Sequence, residues 1–191
     1  MVGNPANFDP PVTLTAEHNL DDFQSGEPTL DDWLKQRALA NMQNAASRTY
    51  VVCQSGSSKV FAYYALSMGQ ILNRDVVGSM RRNMPPQIPA VILGRLAVDK
   101  TAQGNGLGAA LLRDAVDRSV KAASQISARL LIVHALSKAA EDFYVHYGFT
   151  QLPLDTPTLA LDLLKLPKKQ GRLAALGHPR SEDDGSVRET K

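Results

Sequence analysis

The feature that most narrows what this chain can fold into is a strand, a glycine loop and a helix in direct succession. Ala90–Val98 is an apolar, β-prone run. The loop KTAQGNGLG follows, and Leu107 to about Ser124 then repeats Leu112, Val116 and Val120 in i, i+4 steps, with Leu111 and Ala115 beside them. That repeat is the apolar stripe of an amphipathic helix. A glycine-rich turn feeding a helix N-terminus aims free backbone N–H groups outward at the positive end of the helix dipole, which suits a phosphate. Gly106 and Gly108 carry no Cβ to hold a diphosphate away. Alone, such a loop also reads as an ordinary tight turn. Pattern excludes two other phosphate loops. No Gly-Lys-Ser/Thr ending follows Gly108, and the spacing Gly104-x-Gly106-x-Gly108 is not that of a dinucleotide fingerprint.

The rest of the chain supplies strands and helices around this unit. Val12–Leu14 is a short β-prone stretch. A first helix is predicted from Thr29, where Thr29 and Asp32 resemble a capping box, and Leu30, Trp33, Leu34, Ala38 and Met42 then recur at helical spacing. Arg48–Cys53 and Lys59–Ile71 flank the turn sequence QSGSS and predict a β-hairpin. Asn73–Pro89, with Gly78 and Pro85-Pro86, lacks a clean period and reads as a loop or short irregular helix. Ala128–Ala135 (ARLLIVHA) is almost wholly apolar, as in a strand covered on both faces at the centre of a sheet. Ser137 is placed to cap a helix through Tyr147, and Thr158–Leu166 predicts a last strand.

Composition fits a single globular domain over residues 1–166. With 191 residues, 43% of them hydrophobic, the chain is long enough to bury a core without a structural metal or disulfide. The lone Cys53 closes no intrachain disulfide and builds no cysteine-rich zinc site, which points to a reducing, cytoplasmic setting and to no metal. No run reaches the length of a membrane helix, and the N-terminus lacks the basic-then-apolar order of a signal peptide. Six basic and four acidic residues lie in Pro167–Lys191, leaving 15 of each elsewhere. That segment reads as a flexible charged tail. Within the neutral remainder, Arg74, Arg81, Arg82 and Arg95 face only Asp75 between Ile71 and Val98, a local basic patch or a set of solvated loop arginines.

With these elements in order, the chain resembles the GNAT superfamily of N-acetyltransferases. Gln103, Gly106 and Gly108 match its acetyl-CoA signature, LGRLAVD precedes it, and Phe143-Tyr144-Val145-His146-Tyr147-Gly148-Phe149 is similar to its later aromatic element. The resemblance covers roughly residues 10–166. It implies an α/β fold: a mixed, mostly antiparallel sheet flanked by helices, with an acetyl-CoA wedge where Ala90–Val98 and Ala128–Ala135 splay apart. Acetyl-CoA would then be the co-substrate, held by Gln103, Gly104, Asn105, Gly106, Leu107 and Gly108 at its diphosphate and by Leu96, Ala97 and Val98 along its arm. FQSGEPTLDDWLKQRALANMQNAASRTYVVC and MRRNMPPQIPAVILGRLAVD are further similar to the acetyltransferase toxins of bacterial type II toxin-antitoxin pairs. That resemblance implies N-acetylation of aminoacyl-tRNA, a block to translation, a ribbon-helix-helix antitoxin and a homodimer. A GNAT enzyme acting on a small-molecule or protein amine is the alternative, and a CoA-binding or DNA-regulatory module without catalysis is a third reading.

The chemistry of acetyl transfer asks for a neutral amine and a proton for the departing thiolate. Tyr144 is the candidate proton donor, a phenol with a pKa near about 10 that matches the family's tyrosine at the CoA sulfur. Ala139, Ala140, Phe143 and Tyr147 read as the apolar face of its helix, with Tyr144 at the cleft edge. No clear general base appears. His134 sits in an apolar strand and reads as a core histidine, Asp99 as a loop cap, and His146 as a partner of the helix dipole. An α-amine titrates near about 7.7–8.0, well below lysine, so an aminoacyl ester needs less basic help. Arg81, Arg82 and Arg95 are the candidate tRNA contacts, with Lys35, Arg37 and Arg48 as weaker ones, although Arg95 also suits a structural ion pair.

Overall fold

The computed structural model describes residues 8–166; the tail expected over Pro167–Lys191 lies outside them. The hairpin forms as its turn chemistry predicts. Strand β2 (Arg48–Cys53) pairs antiparallel with β3 (Val60–Leu72), and β3 pairs antiparallel with β4 (Gln87–Val98). Strand β1 (Val12–Thr13) flanks β2, and β5 (Leu130–His134) joins the other edge of β4. Strands β7 (Thr158–Asp162) and β6 (Thr150–Gln151) complete a seven-stranded sheet of order β1-β2-β3-β4-β5-β7-β6 among the described residues. Only β4 and β5 run parallel. The fold is thus the mixed, mostly antiparallel α/β arrangement that the family resemblance implies.

Helix α3 (Leu107–Ile126) buries Leu111, Leu112, Ala115 and Val116 against one face of the sheet. Helix α4 (Lys138–His146) packs on the same side and begins where Ser137 Oγ accepts the Ala140 N–H. The opposite face is covered by α1 (Pro28–Gln36), α2 (Ala38–Gln43) and the β3–β4 connection, through Leu30, Leu34 and Ala38 near one end and Val76 and Met80 near the other. Strand β5 is buried on both faces from Leu130 to Val133, as its unbroken apolar run requires.

Several elements depart from the sequence reading. Helix α1 starts at Pro28, one residue before Thr29, so Thr29 and Asp32 lie inside it and form no capping box; the Asp31 carboxylate instead accepts from Ser25 N and Oγ. Proline at the first helical position loses no hydrogen bond there. The helical pattern breaks at Arg37, which gives two helices while keeping both Leu34 and Ala38 buried. Strand β4 begins at Gln87, not Ala90. Its Pro89 is tolerated because the residue's polar edge faces β5, where the Pro89 carbonyl accepts the Arg129 N–H, so the β3 ladder loses no donor. Strand β7 ends at Asp162 rather than Leu166, and the short β6 carried no sequence signal.

A polar network fastens α3 to the sheet. The buried Tyr64 hydroxyl donates to Asp114, which also takes Arg118 Nε at 2.7 Å. The Arg118 guanidinium stacks 4.0 Å from the Tyr50 ring and reaches the Pro11 carbonyl. Tyr64→Phe deletes the one donor that ties this carboxylate to the strands, and should lower the unfolding free energy by about 1–2 kcal/mol in urea titrations without changing the m-value.

Candidate active site

The parallel ladder of β4 and β5 stops at the pair Leu93–Val133, although β4 continues to Val98. Gly94 is the extra residue of a bulge: Arg95 faces Ala65 and Leu93 faces Leu66, so Gly94 has no partner on β3. Beyond this point the strands part, and the wedge opens into a cavity of about 410 Å³. Its lining includes Gly94 to Val98 on β4, Val133 and His134 on β5, Phe143 and Tyr144 on α4, and Ser25, Glu27 and Leu30 at the start of α1.

At the mouth of the wedge, the loop before α3 is built as a cradle. Gly104 and Gly106 adopt φ of 79° and 75°, a left-handed backbone that other residues rarely take, and no atom stands within 4 Å of where a Cβ would be. Gly106 occupies the N-cap of α3 with no side-chain cap, so the first-turn N–H groups are left to a ligand or solvent. Gly108 differs from the sequence reading. A Cβ there would meet Val98 and Phe143 at 3.8–4.0 Å, ordinary van der Waals contact with the protein's own side chains, so the position points into the fold and has room for alanine. Leu107 packs its side chain on the α3 core and lends the loop only its backbone. The Asn105 amide turns back to the Ala102 carbonyl.

Gln103 serves the loop from within. Its Nε2 donates to the Ser25 carbonyl and to the Val98 carbonyl, each at 2.9 Å, which ties the loop to the end of β4 and to the turn before α1. Asp99 makes the second tie and caps the loop as expected, accepting from Thr101 N, Thr101 Oγ1 and Gln24 N. Burial pushes its carboxyl up, but the Thr101 and Gln24 hydrogen bonds outweigh this and hold it below the ordinary aspartate value.

Along β4 the side chains alternate across the wedge. Leu96 and Val98 face the α3 side, while Arg95 and Ala97 face α1. Arg95 makes no ion pair among the described residues; its guanidinium lies 5.3 Å from the Trp33 ring centroid and donates to the Gly94 carbonyl. Tyr144 is the residue α4 buries most deeply, with Phe143 and Tyr147 half-buried beside it and Ala139 exposed in the cleft, so the expected apolar face is centred one position over. No hydrogen bond engages the Tyr144 hydroxyl among the described residues, and burial raises the phenol well above its ordinary value. It is therefore protonated and able to donate.

The structure separates the arginines that the sequence grouped. Arg81 and Arg82 are exposed in the β3–β4 connection, at the Gln87 end of β4, where Arg81 shares a groove with Arg74. Arg95 lies eight residues along the strand from Gln87, about 26 Å. His134 is also displaced from expectation: it is exposed at the end of β5 and lines the cleft. Sequence reasoning missed Glu27 and Leu30 as cleft residues as well. Their signal was the Ser25–Gly26–Glu27 turn abutting Pro28, legible only once the turn is seen tied to Gln103.

The acetyltransferase (GNAT) domain pattern matches residues 48–151, more than half of the chain. The chain belongs to the GNAT acetyltransferase family. This GNAT chain is 44% identical over 156 residues to a tRNA-acetylating toxin of Mycobacterium tuberculosis, covering 82% of the chain and 93% of that relative. The structure of AtaT complexed with acetyl-methionyl-tRNAfMet is similar at a TM-score of 0.76 and 28% identity, over 82% of this chain and 95% of the other. A mutant AtaT toxin bound to the C-terminus of the antitoxin AtaR and acetyl-CoA gives a TM-score of 0.72 at 27% identity, over 83% and 94%. No helix among the described residues of this GNAT domain is long and apolar enough to cross a membrane.

Two tests follow from the loop. Gly106→Ala, forced into a left-handed backbone, should cost about 1–2 kcal/mol of stability, whereas Gly108→Ala should be neutral or slightly stabilising; denaturation midpoints decide. Asp99 has a depressed native pKa, so its stabilisation is complete above about pH 4 and is lost as the pH falls through the lower folded value. Asp99→Asn should flatten that acid limb of unfolding free energy against pH.

Proposed function

We propose that this GNAT enzyme transfers the acetyl group of acetyl-CoA to the α-amino group of aminoacyl-tRNA, and so acts as a toxin that blocks translation. The observation that carries the reading is the wedge: an uncapped helix N-terminus behind a glycine cradle at its mouth, an apolar strand along it, and a protonated tyrosine within it. In this reading the backbone of Gln103, Gly104, Asn105, Gly106, Leu107 and Gly108 holds the diphosphate of acetyl-CoA. The arm lies along Leu96, Ala97 and Val98, whose β5-side edge is unpaired past Leu93. Tyr144 donates the proton that the thiolate takes up as it leaves. The likeness to the tRNA-acetylating toxin, and to AtaT with its acetylated methionyl-tRNA, supports the acceptor.

The same proposal includes the partners. The partner in this reading is a ribbon-helix-helix antitoxin; the antitoxin-bound AtaT relative supports an antitoxin as such. A homodimer fits the β3 arm, where Met68 and Leu72 stand exposed beyond the end of β2, and would offer two arginine-bearing loops to one tRNA. Arg81 and Arg82 contact phosphates away from the reacting centre, while Arg95 sits at the acceptor side of the cleft. The cytoplasm, where charged tRNA is found, is the site of action.

Incubation of the purified protein with acetyl-CoA and a mixture of charged tRNAs should yield N-acetylated amino acids by mass spectrometry. Acetyl-CoA binding with no acetylated aminoacyl-tRNA would instead turn the reading to a small-molecule or protein amine. Tyr144→Phe should lower kcat about 10²–10⁴-fold while leaving acetyl-CoA affinity unchanged. Replacing Arg81 and Arg82 by alanine should leave kcat intact and reduce the slope of log K for tRNA against log salt by roughly 0.7–0.9 for each phosphate that is no longer neutralised.

A further inference from the structure

Side-chain alternation divides the cleft into two walls with different chemistry. On β5, Leu131 and Val133 pack on the α3–α4 side together with Tyr144, while Leu130 and Ile132 pack on the opposite face with Ile88 and Ala90. His134 continues the Leu130–Ile132 row, because side chains two apart on a strand share a face. It therefore projects from the face opposite Tyr144. On β4, the bulge at Gly94 brings Arg95 and Ala97 to the α1 side. One wall thus carries Leu96, Val98, Phe143 and Tyr144; the other carries Leu30, Arg95 and His134, with Glu27 at its edge.

His134 also stands at the apex. Val133 makes the last pair with β4, so His134 is the first β5 residue beyond the parting, abreast of Gly94. Its ring is oriented from behind. Nδ1 lies 2.9 Å from the hydroxyl of Thr158, the residue directly across β7, and that hydroxyl is 3.2 Å from Thr156 Oγ1. Thr158 is fully buried. Two tautomers satisfy these hydrogen bonds; in the one that a proton acceptor requires, Nδ1–H donates to Thr158 and Thr158 donates to Thr156, and the lone pair lies on Nε2, the nitrogen with no hydrogen bond among the described residues.

Acyl transfer needs a proton acceptor on such a wall. A neutral α-amine can attack the acetyl carbonyl unaided, but the new N–C bond leaves a positive charge on nitrogen until one N–H proton departs. We propose that His134 is the catalytic proton acceptor for the attacking amine. The inference rests on the acetyltransferase reading above and adds a residue to it. As the N–C bond forms, the amine proton passes to His134 Nε2; as the C–S bond breaks, its electron pair goes to sulfur, which takes the Tyr144 proton. His134 then returns a proton to solvent and Tyr144 regains one, so charge and atoms balance. The other titratable groups lining the cleft with the ring are Glu27, Arg95 and Tyr144. Lys138 is engaged by Glu141 and Asp142.

The experiment compares wild type, His134→Ala and His134→Asn with two acceptors, charged tRNA and a simple α-amino acid ester. Asparagine can keep a donor toward Thr158 but cannot take the proton, so it guards against a fold defect. Both variants should bind acetyl-CoA within about twofold of wild type and lose about 10²-fold or more in kcat. Added imidazole should restore His134→Ala in a saturable manner and leave Tyr144→Phe slow. Wild-type kcat in His134→Asn, or loss of activity in His134→Ala without imidazole rescue, overturns the proposal. Acetylation of the ester but not of charged tRNA by wild type would overturn the proposed function, while His134 is still judged on the ester. Activity on neither acceptor would overturn both.

Discussion

The rest of this structure depends on where two parallel strands stop pairing. The β4–β5 ladder ends at Leu93–Val133, and the bulge at Gly94 both releases the strands and reverses which residues of β4 face α1. Without that reversal, Arg95 would exchange walls with Leu96. What β4 contributes to each wall, Leu96 and Val98 to the apolar stripe and Arg95 to the polar one, is thus a consequence of one unpaired residue.

Each wall is then anchored separately. The α3–α4 wall is held through Tyr64, Asp114 and Arg118, and by the aromatic packing of Phe143, Tyr144 and Phe149. The α1 wall is held through Tyr63, whose hydroxyl donates to the Leu30 carbonyl at 2.8 Å while Phe23 and Trp33 pack on its ring. Adjacent tyrosines on one strand point to opposite faces and secure opposite layers. The end of β3 nearest the cleft is therefore the fixed member, and the walls are referenced to it.

Local signals in the sequence were reliable where short-range physics decides the outcome. The glycine loop, the amphipathic stripe of α3, the Ser137 cap and the two-sided burial of β5 all follow from spacing and residue type. Thr29 misled because proline at the first helical position set the start instead. Pro89 misled because its cost depends on which neighbour its edge faces, a fact of the sheet and not of the segment. His134 read as core since its run is apolar, yet a strand that outlasts its pairing exposes its last residue. The arginines read as one patch because distance along a chain says nothing of a strand's length in space. Of the cradle residues, Gln103 belongs to the signature, but its partners, Ser25 and Val98, lie in segments that no local pattern connects to it.

The Gln103 ties bear on the thermodynamics of ligand capture. A loop of small residues standing free would have to be immobilised each time a diphosphate arrived, and that loss of freedom would be subtracted from every binding event. Here the Ser25 and Val98 carbonyls, together with the Asp99 cap, fix the loop when the chain folds. The ordering entropy is charged to folding rather than to association. In the acetyl-CoA reading proposed above, the cradle would meet its ligand already shaped, and the affinity of its N–H groups would not be reduced by a search for the conformation that presents them.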